Sequence, residues 1–178
     1  MKIKITFIAL WLVAFTGISQ NTYTLSKESV LNINGTSTVH DWTVKANTLH
    51  GNLTYGEKVE DVELRVVAPD IESGRAAAMD KKMHEALKAE KHPEITFKFQ
   101  NLSDTDPNAL QGVLAIAGKD KQVVLPSEIT EIDNGFRIKG SYALKLQDYG
   151  MEPPTAMFGQ IVVGDTVTVD YNLVFVGK

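Results

Sequence analysis

The chain has 178 residues, no cysteine and a formal net charge of −4 at pH 7. That excludes disulfide bracing and thiol chemistry, and the lack of any basic cluster argues against nucleic acid and an anionic membrane surface as partners. The length suits one domain with a sizeable core.

Lys2 and Lys4 precede an almost wholly apolar run over residues 5–18. The run is short for a membrane span, which needs about 20 residues. Gly17 and Ser19 then supply small residues before a cut after Ser19. The pattern predicts a signal peptide over 1–19, a single domain over 20–178, no stable membrane insertion, and a periplasmic or secreted location. No cysteine follows the apolar run, so a lipid-anchored N-terminus is not expected.

Past this segment nearly everything reads as strand. Residues 22–25 are a short candidate. From 30 to 39, Leu31, Ile33, Gly35, Ser37 and Val39 share one face, and Trp42, Val44 and Ala46 continue the alternation past His40-Asp41. Leu49, Leu53 and Tyr55 mark another strand, and Val62, Leu64 and Val66 the next. Residues 70–75 read as a turn, with Ser73-Gly74 leading into a helix.

The stretch from Met79 to Phe99 organises the rest. Met79, Met83 and Leu87 repeat at i, i+4, i+8, with Ala76, Ala86 and Ala89 filling in, so they form one buried helical stripe. Asp80, Lys81, Lys82, His84, Glu85 and Lys88 fall off that stripe and are expected in water. His92-Pro93 is expected to stop the helix, because a residue before proline is pushed out of the helical region. Ile95, Phe97 and Phe99 then alternate with Thr96, Lys98 and Gln100 as a half-buried strand.

A polar loop over 103–108 follows. Residues 110–117 and 122–125 flank Gly118-Lys119-Asp120-Lys121, which reads as a hairpin turn. Phe136, Ile138, Gly140, Tyr142, Leu144 and Leu146 alternate with polar partners, and Val167, Val169, Tyr171, Leu173 and Phe175 repeat the design. About eight strands at this spacing fit a barrel or a sandwich. The long late strands with large inward side chains favour an all-β, antiparallel β-barrel with one helix inserted mid-chain, closing one end.

No chemistry announces itself. His40, His50, His84 and His92 show no metal-ligand spacing, so no metal or other cofactor is expected. No nucleophile elbow or phosphate loop is present, and Asp80 and Glu85 are not spaced as a helical pair, so no catalytic residue is nominated and the chain is read as not an enzyme. His40-Asp41 interrupts a strand beside Trp42 and reads first as a strand bend. The apolar alternation by itself leaves a filled core and a ligand cavity equally open.

Met79-Asp80 with Met83, followed by Glu90-Lys91-His92-Pro93-Glu94-Ile95-Thr96-Phe97, resembles the central signature of YceI-like proteins. Asp148-Tyr149-Gly150, Phe158-Gly159 and Val163-Gly164-Asp165-Thr166-Val167 form a second match, and Ser37-Thr38-Val39-His40 a weaker third. The chain departs from the family in Met79, where an arginine is usual, in Ala86-Leu87, where a Phe-Phe pair is common, and in His92, where tyrosine is common. The resemblance implies a lipocalin-like barrel that binds a long apolar chain such as a polyisoprenoid, an isoprenoid quinone or a fatty-acid amide. Residues expected to meet that chain are Trp42, Met79, Met83 and Leu87 near the helix, and Ile95, Phe97 and Phe99 after it. Phe136, Ile138, Tyr142, Leu144, Phe158 and Tyr171 complete the set. The partner is then an apolar small molecule, with room for a homodimer. The alternative is a filled-core envelope-stress or interaction module without bound lipid.

Overall fold

The computed structural model describes residues 21–75 and 77–177. The signal peptide expected over 1–19 and Ala76 of the helical stripe lie outside the described residues. The chain runs β1 (Asn21–Leu25), β2 (Val30–Ser37), β3 (Trp42–Ala46), β4 (Leu49–Tyr55), β5 (Val59–Val67) and β6 (Ile71–Glu72). Helix α1 (Ala77–Ala86) leads to β7 (Glu94–Leu102), β8 (Leu110–Ile116), β9 (Lys119–Leu125), β10 (Ser127–Ile132) and β11 (Gly135–Lys145). The two-residue β12 (Thr155–Ala156) and the 17-residue β13 (Ile161–Gly177) complete it. Every pairing is antiparallel.

The fold is all-β, and its staves are fewer than its strands because several staves are broken. β13 pairs with β1 through residues 175–177 and with β2 through residues 163–172, so β1 and β2 lie end to end along one edge. Behind them β4 pairs with β1 and β3 with β2, and then β5 pairs with β4 and β6 with β3. A 3-10 turn at Ala68–Asp70, with proline in its first turn, bends β5 into β6. β7 and β8 follow in order. The next stave is split at Pro126: β9 pairs with β8, whereas β10 pairs with β11, which returns to β13. Counted this way the wall has about eight staves, the number expected of a barrel that holds side chains or one small ligand. The ring of hydrogen bonds is not continuous, because no ladder joins β9 to β11. The 3-10 turn Leu146–Tyr149 lies beside that gap, with Tyr149 buried among Ile116, Leu144 and Met151, and Lys121 4.0 Å from Asp148.

Alternation sets which side chains face inward. Along β11 and β13 the cross-strand pairs Phe136↔Phe175, Ile138↔Leu173, Tyr142↔Val169 and Leu144↔Val167 are buried or half-buried, while Lys139 and Asp170 are exposed. Lys98 is exposed between Phe97 and Phe99 in the same way. The register is the one the period-two pattern requires.

Three local expectations change. The helix ends at Ala86, well before Pro93. Ala89 N–H donates to His84 C=O and Lys88 N–H to Glu85 C=O, with Lys88 at φ 53°, so a Schellman turn stops the helix. Pro93 instead leads into β7, its carbonyl accepting Ala68 N–H at 2.8 Å. The hairpin turn is Ala117 and Gly118, both at positive φ, and β9 already begins at Lys119. A side chain at Gly118 would meet the His92 ring, so the position needs glycine twice over. Finally, β13 starts five residues before Thr166, and β10 forms in a stretch to which the alternation assigns no element.

Candidate functional site

Inward side chains of the staves do not fill the barrel. They enclose a cavity of about 370 Å³ that opens at the end where α1 sits. That volume lies within the range of small-molecule sites, roughly 300–1,000 Å³. It is more than twice the size of an engineered apolar cavity of about 150 Å³ that stays dry and takes up benzene.

The wall is apolar through its depth. Leu31, Val66, Ile138 and Leu173 line it from four different staves, and Leu110 and Leu125 close it from below. At mid-height Tyr171 is buried, its hydroxyl donating to Pro126 C=O at 2.7 Å and lying 3.0 Å from Ser127 Oγ. Both partners belong to the stave break, so the tyrosine ties β13 to the point where β9 becomes β10. Removal from water raises the pKa of this phenol, and the Ser127 hydroxyl opposes the shift.

Below the cavity the barrel is sealed by aromatics. Phe136 stacks on Tyr55 with ring centroids 4.0 Å apart and meets the edge of Tyr23 at 5.1 Å. Leu53 and Phe175 are wholly buried in the same cluster. Chains of such rings pack with offset or edge-on geometry and exclude water.

The open end is built from three segments. The β2–β3 hairpin is pinned by Ser37, whose hydroxyl donates to His40 C=O at 2.8 Å. Trp42 lies across Gly35, where a side chain would collide with the indole, and its Nε1 donates to Thr36 C=O at 2.9 Å. Helix α1 covers part of the opening. Met83 and Leu87 are half-buried against the core, and His84 is half-buried too, its Nε2 2.9 Å from Ile71 C=O. Lys82 Nζ donates to Thr155 C=O at 2.8 Å and thereby ties the helix to the third segment, residues 154–163. His84 is therefore not the solvent-facing residue that helical periodicity implies, whereas Lys82 is exposed as expected; Met79, expected in the buried stripe, is instead 43% exposed at the rim. Asp80 also turns inward toward the loop, accepting Ser73 N–H at 2.9 Å. Hydrogen bonds from Ser73 hold its carboxyl below the ordinary 3.8.

Of the residues nominated from sequence, Trp42, Met79, Met83, Leu87, Ile95, Phe97, Ile138, Tyr142, Leu144 and Tyr171 line the cavity. Three do not. Phe99 and Phe136 face inward but pack in the core away from the cavity wall, Phe136 in the aromatic seal. Phe158 is 110% exposed, because Met157 and Phe158 both take positive φ and turn the chain outward. Several wall residues went unnominated. Leu114 and Ile116 follow the same period-two rule as their neighbours and were legible. Pro154, Ala156 and Ile161 come from a segment with no periodicity to read. Among the described residues no three His, Asp or Glu side chains come together to hold a metal, and no helix is long and apolar enough to cross a membrane.

An eight-stave antiparallel barrel with a largely apolar interior and one helix at its mouth defines a class of binding scaffold. The YceI-like domain model matches residues 22–175, and the chain belongs to that family. Solved structures share the fold at low identity. A polyisoprenoid binding domain from Saccharophagus degradans, implicated in plant cell wall breakdown, aligns with a TM-score of 0.73 at 13% identity, covering 90% of this chain and 100% of that one. BcnA of Burkholderia cenocepacia aligns at 0.71 and 14%, covering 82% and 95%. The Campylobacter jejuni YCEI protein aligns at 0.61 and 14%, covering 100% and 93%. Among curated proteins none matches the sequence.

Proposed function

We propose that this protein is an exported, non-enzymatic carrier that holds one long apolar chain inside its barrel. A polyisoprenoid, an isoprenoid quinone or a fatty-acyl derivative fits that description. The observation that carries the reading is the cavity of about 370 Å³, apolar through its depth and open at one end. A filled-core module has no use for such a space, because native interiors pack closely and a void forfeits contacts. Each CH₂ moved from water into the cavity contributes about 0.8 kcal/mol, so ten methylenes give roughly 8 kcal/mol before the costs of association. Apolar length therefore supplies the affinity without a catalytic group. Membership of the YceI-like family supports lipid binding, and the similar Saccharophagus domain is named for polyisoprenoid binding. The apolar run at residues 5–18 supports export to the periplasm or beyond.

Native mass spectrometry of protein purified from its own cells tests the reading. An apolar adduct is expected, lost on solvent extraction, in a chain that begins near residue 20. Repeated recovery of a bare chain that neither retains nor takes up an apolar molecule would remove the carrier reading.

A further inference from the structure

We infer that the mouth of the cavity selects an anionic head group, a carboxylate or a phosphate, on the apolar chain it holds. The inference rests on the carrier reading above and goes beyond it, since quinones and amides carry no charge.

Charged side chains enter the cavity lining only at the mouth: Arg75 and Lys82 as cations, Asp80 as the carboxylate, with His40 beside them. These groups are not equally free. Asp80 accepts the Ser73 amide at 2.9 Å, and the Ser73 hydroxyl in turn accepts the Arg75 amide at 3.3 Å. The carboxylate is thus committed to holding the short loop that presents Arg75. The cations are not committed in this way. Lys82 spends one proton on Thr155 C=O at 2.8 Å, and an ammonium has three to give. Arg75 Nη1 lies 3.5 Å from His40 Nε2, a long contact that leaves most of its five donors unused.

Among the described residues the ion pairs are Arg65–Glu94, Lys81–Glu85 and Lys121–Asp148, so neither Arg75 nor Lys82 sits within 4.0 Å of a carboxylate. An apolar tunnel that ends at two cations with spare donors matches an amphiphile with an acceptor-rich, negative end. Guanidinium matches carboxylate and phosphate oxygens in a planar fork, and ammonium adds a second point of contact. Because the mouth is open to water, the preference is modest: about tenfold, as expected of partly solvated charges.

The test compares four ligands with one oleyl chain: oleate, oleyl phosphate, oleamide and oleyl alcohol. Each is titrated below its aggregation threshold into delipidated full-length protein. Oleate and oleyl phosphate are expected to bind about tenfold more tightly than the two neutral ligands, and the tighter of the two anions identifies the head. Raising ionic strength from about 0.01 M to about 1 M should erase that advantage and leave oleamide unchanged. The double variant Arg75→Gln, Lys82→Met should lose the anion preference, read as the ratio of oleate to oleamide affinity on the same protein, and Lys82→Arg should retain it. Equal binding of all four, or a preference that survives the double variant or high salt, overturns the head-group inference and leaves the carrier reading standing. Failure of all four to bind overturns the carrier reading itself.

Discussion

The two ends of this barrel use bulky side chains for opposite purposes. At the sealed end, Phe136, Tyr55 and Tyr23 meet ring to ring, and Phe136 is 6% exposed. At the mouth, Met79, Met157 and Phe158 are 43%, 65% and 110% exposed. The strand ends at the bottom converge on one another, so apolar mass there is buried and stabilises the fold. The mouth is bounded by a hairpin, a helix and an irregular segment held together by a few hydrogen bonds, Lys82 to Thr155 from the helix and Thr38 to Gln160 and Val162 from the hairpin. Apolar mass there surrounds an opening and adds little to folding. Stability and access are thus separated along the barrel axis.

The largest expected effect comes from breaking the sealed end. Phe136→Ala should cost about 3–5 kcal/mol, the usual range for removing a buried phenylalanine, read as a shift in the urea unfolding midpoint with unchanged slope. A loss under about 1 kcal/mol would mean the aromatic seal is not what holds the lower barrel.

Next is Met83→Asp on the helix stripe. A charge facing the apolar lining is costly unless it is protonated or the helix lifts. Retained apolar ligand should fall at least tenfold, equivalent to about 1.4 kcal/mol, while the unfolding midpoint moves less than for Phe136→Ala. Lys81→Asp is the matching control. Its side chain is 78% exposed and its contact with Glu85 is a surface pair of small worth. If Met83→Asp unfolds the protein as readily as Phe136→Ala, the helix belongs to the core and the contrast between the ends disappears.

Alkali should act at the mouth end through Tyr149. Burial, with smaller contributions from Tyr142 and Asp148, pushes its phenol from 10.0 up to about 12. The folded state therefore favours the protonated phenol. This contribution is fully present below pH 10 and is lost as pH rises through about 12. Tyr149→Phe should flatten that part of the stability profile in a denaturant series. An unchanged slope above pH 10 would show that Tyr149 does not seal the gap beside β9.

The smallest effect sharpens the contrast from the other side. Phe158 sits at φ 55° with its ring in water. Phe158→Gly relieves about 1–2 kcal/mol of left-handed strain and gives back roughly 0.5–1 kcal/mol through a more flexible unfolded chain. A net gain of about 0.5 kcal/mol is expected, seen as a slightly higher Tm. A loss near that of Phe136→Ala would mean the ring has a partner in solution.

Much of the wall was legible in the chain. Ile95 and Phe97, Ile138, Tyr142 and Leu144, and Tyr171 each follow period two, and period two decides the face of a strand without reference to anything distant. What it does not decide is height along the barrel. Phe97 and Phe99 read identically, yet only Phe97 lines the cavity, because the depth at which a residue sits depends on its cross-strand partner. Helical periodicity was less reliable. It placed Met83 and Leu87 correctly on the buried side and Lys82 in water, but it also buried Met79, which is exposed, and sent His84 to water, where the half-buried ring instead lies 2.9 Å from Ile71 C=O.

The sequence alone determined the all-β class, the face each strand residue presents and where the helix α1 falls in the chain, because each depends on residues near in the chain. The split stave at Pro126, the aromatic seal beneath the cavity and the tie from Lys82 to Thr155 at its mouth were decided by tertiary structure. Pro126 meets Tyr171, Phe136 meets Tyr23 and Tyr55, and Lys82 meets Thr155. Such partners lie far apart along the chain, and only closing the sheet brings them together.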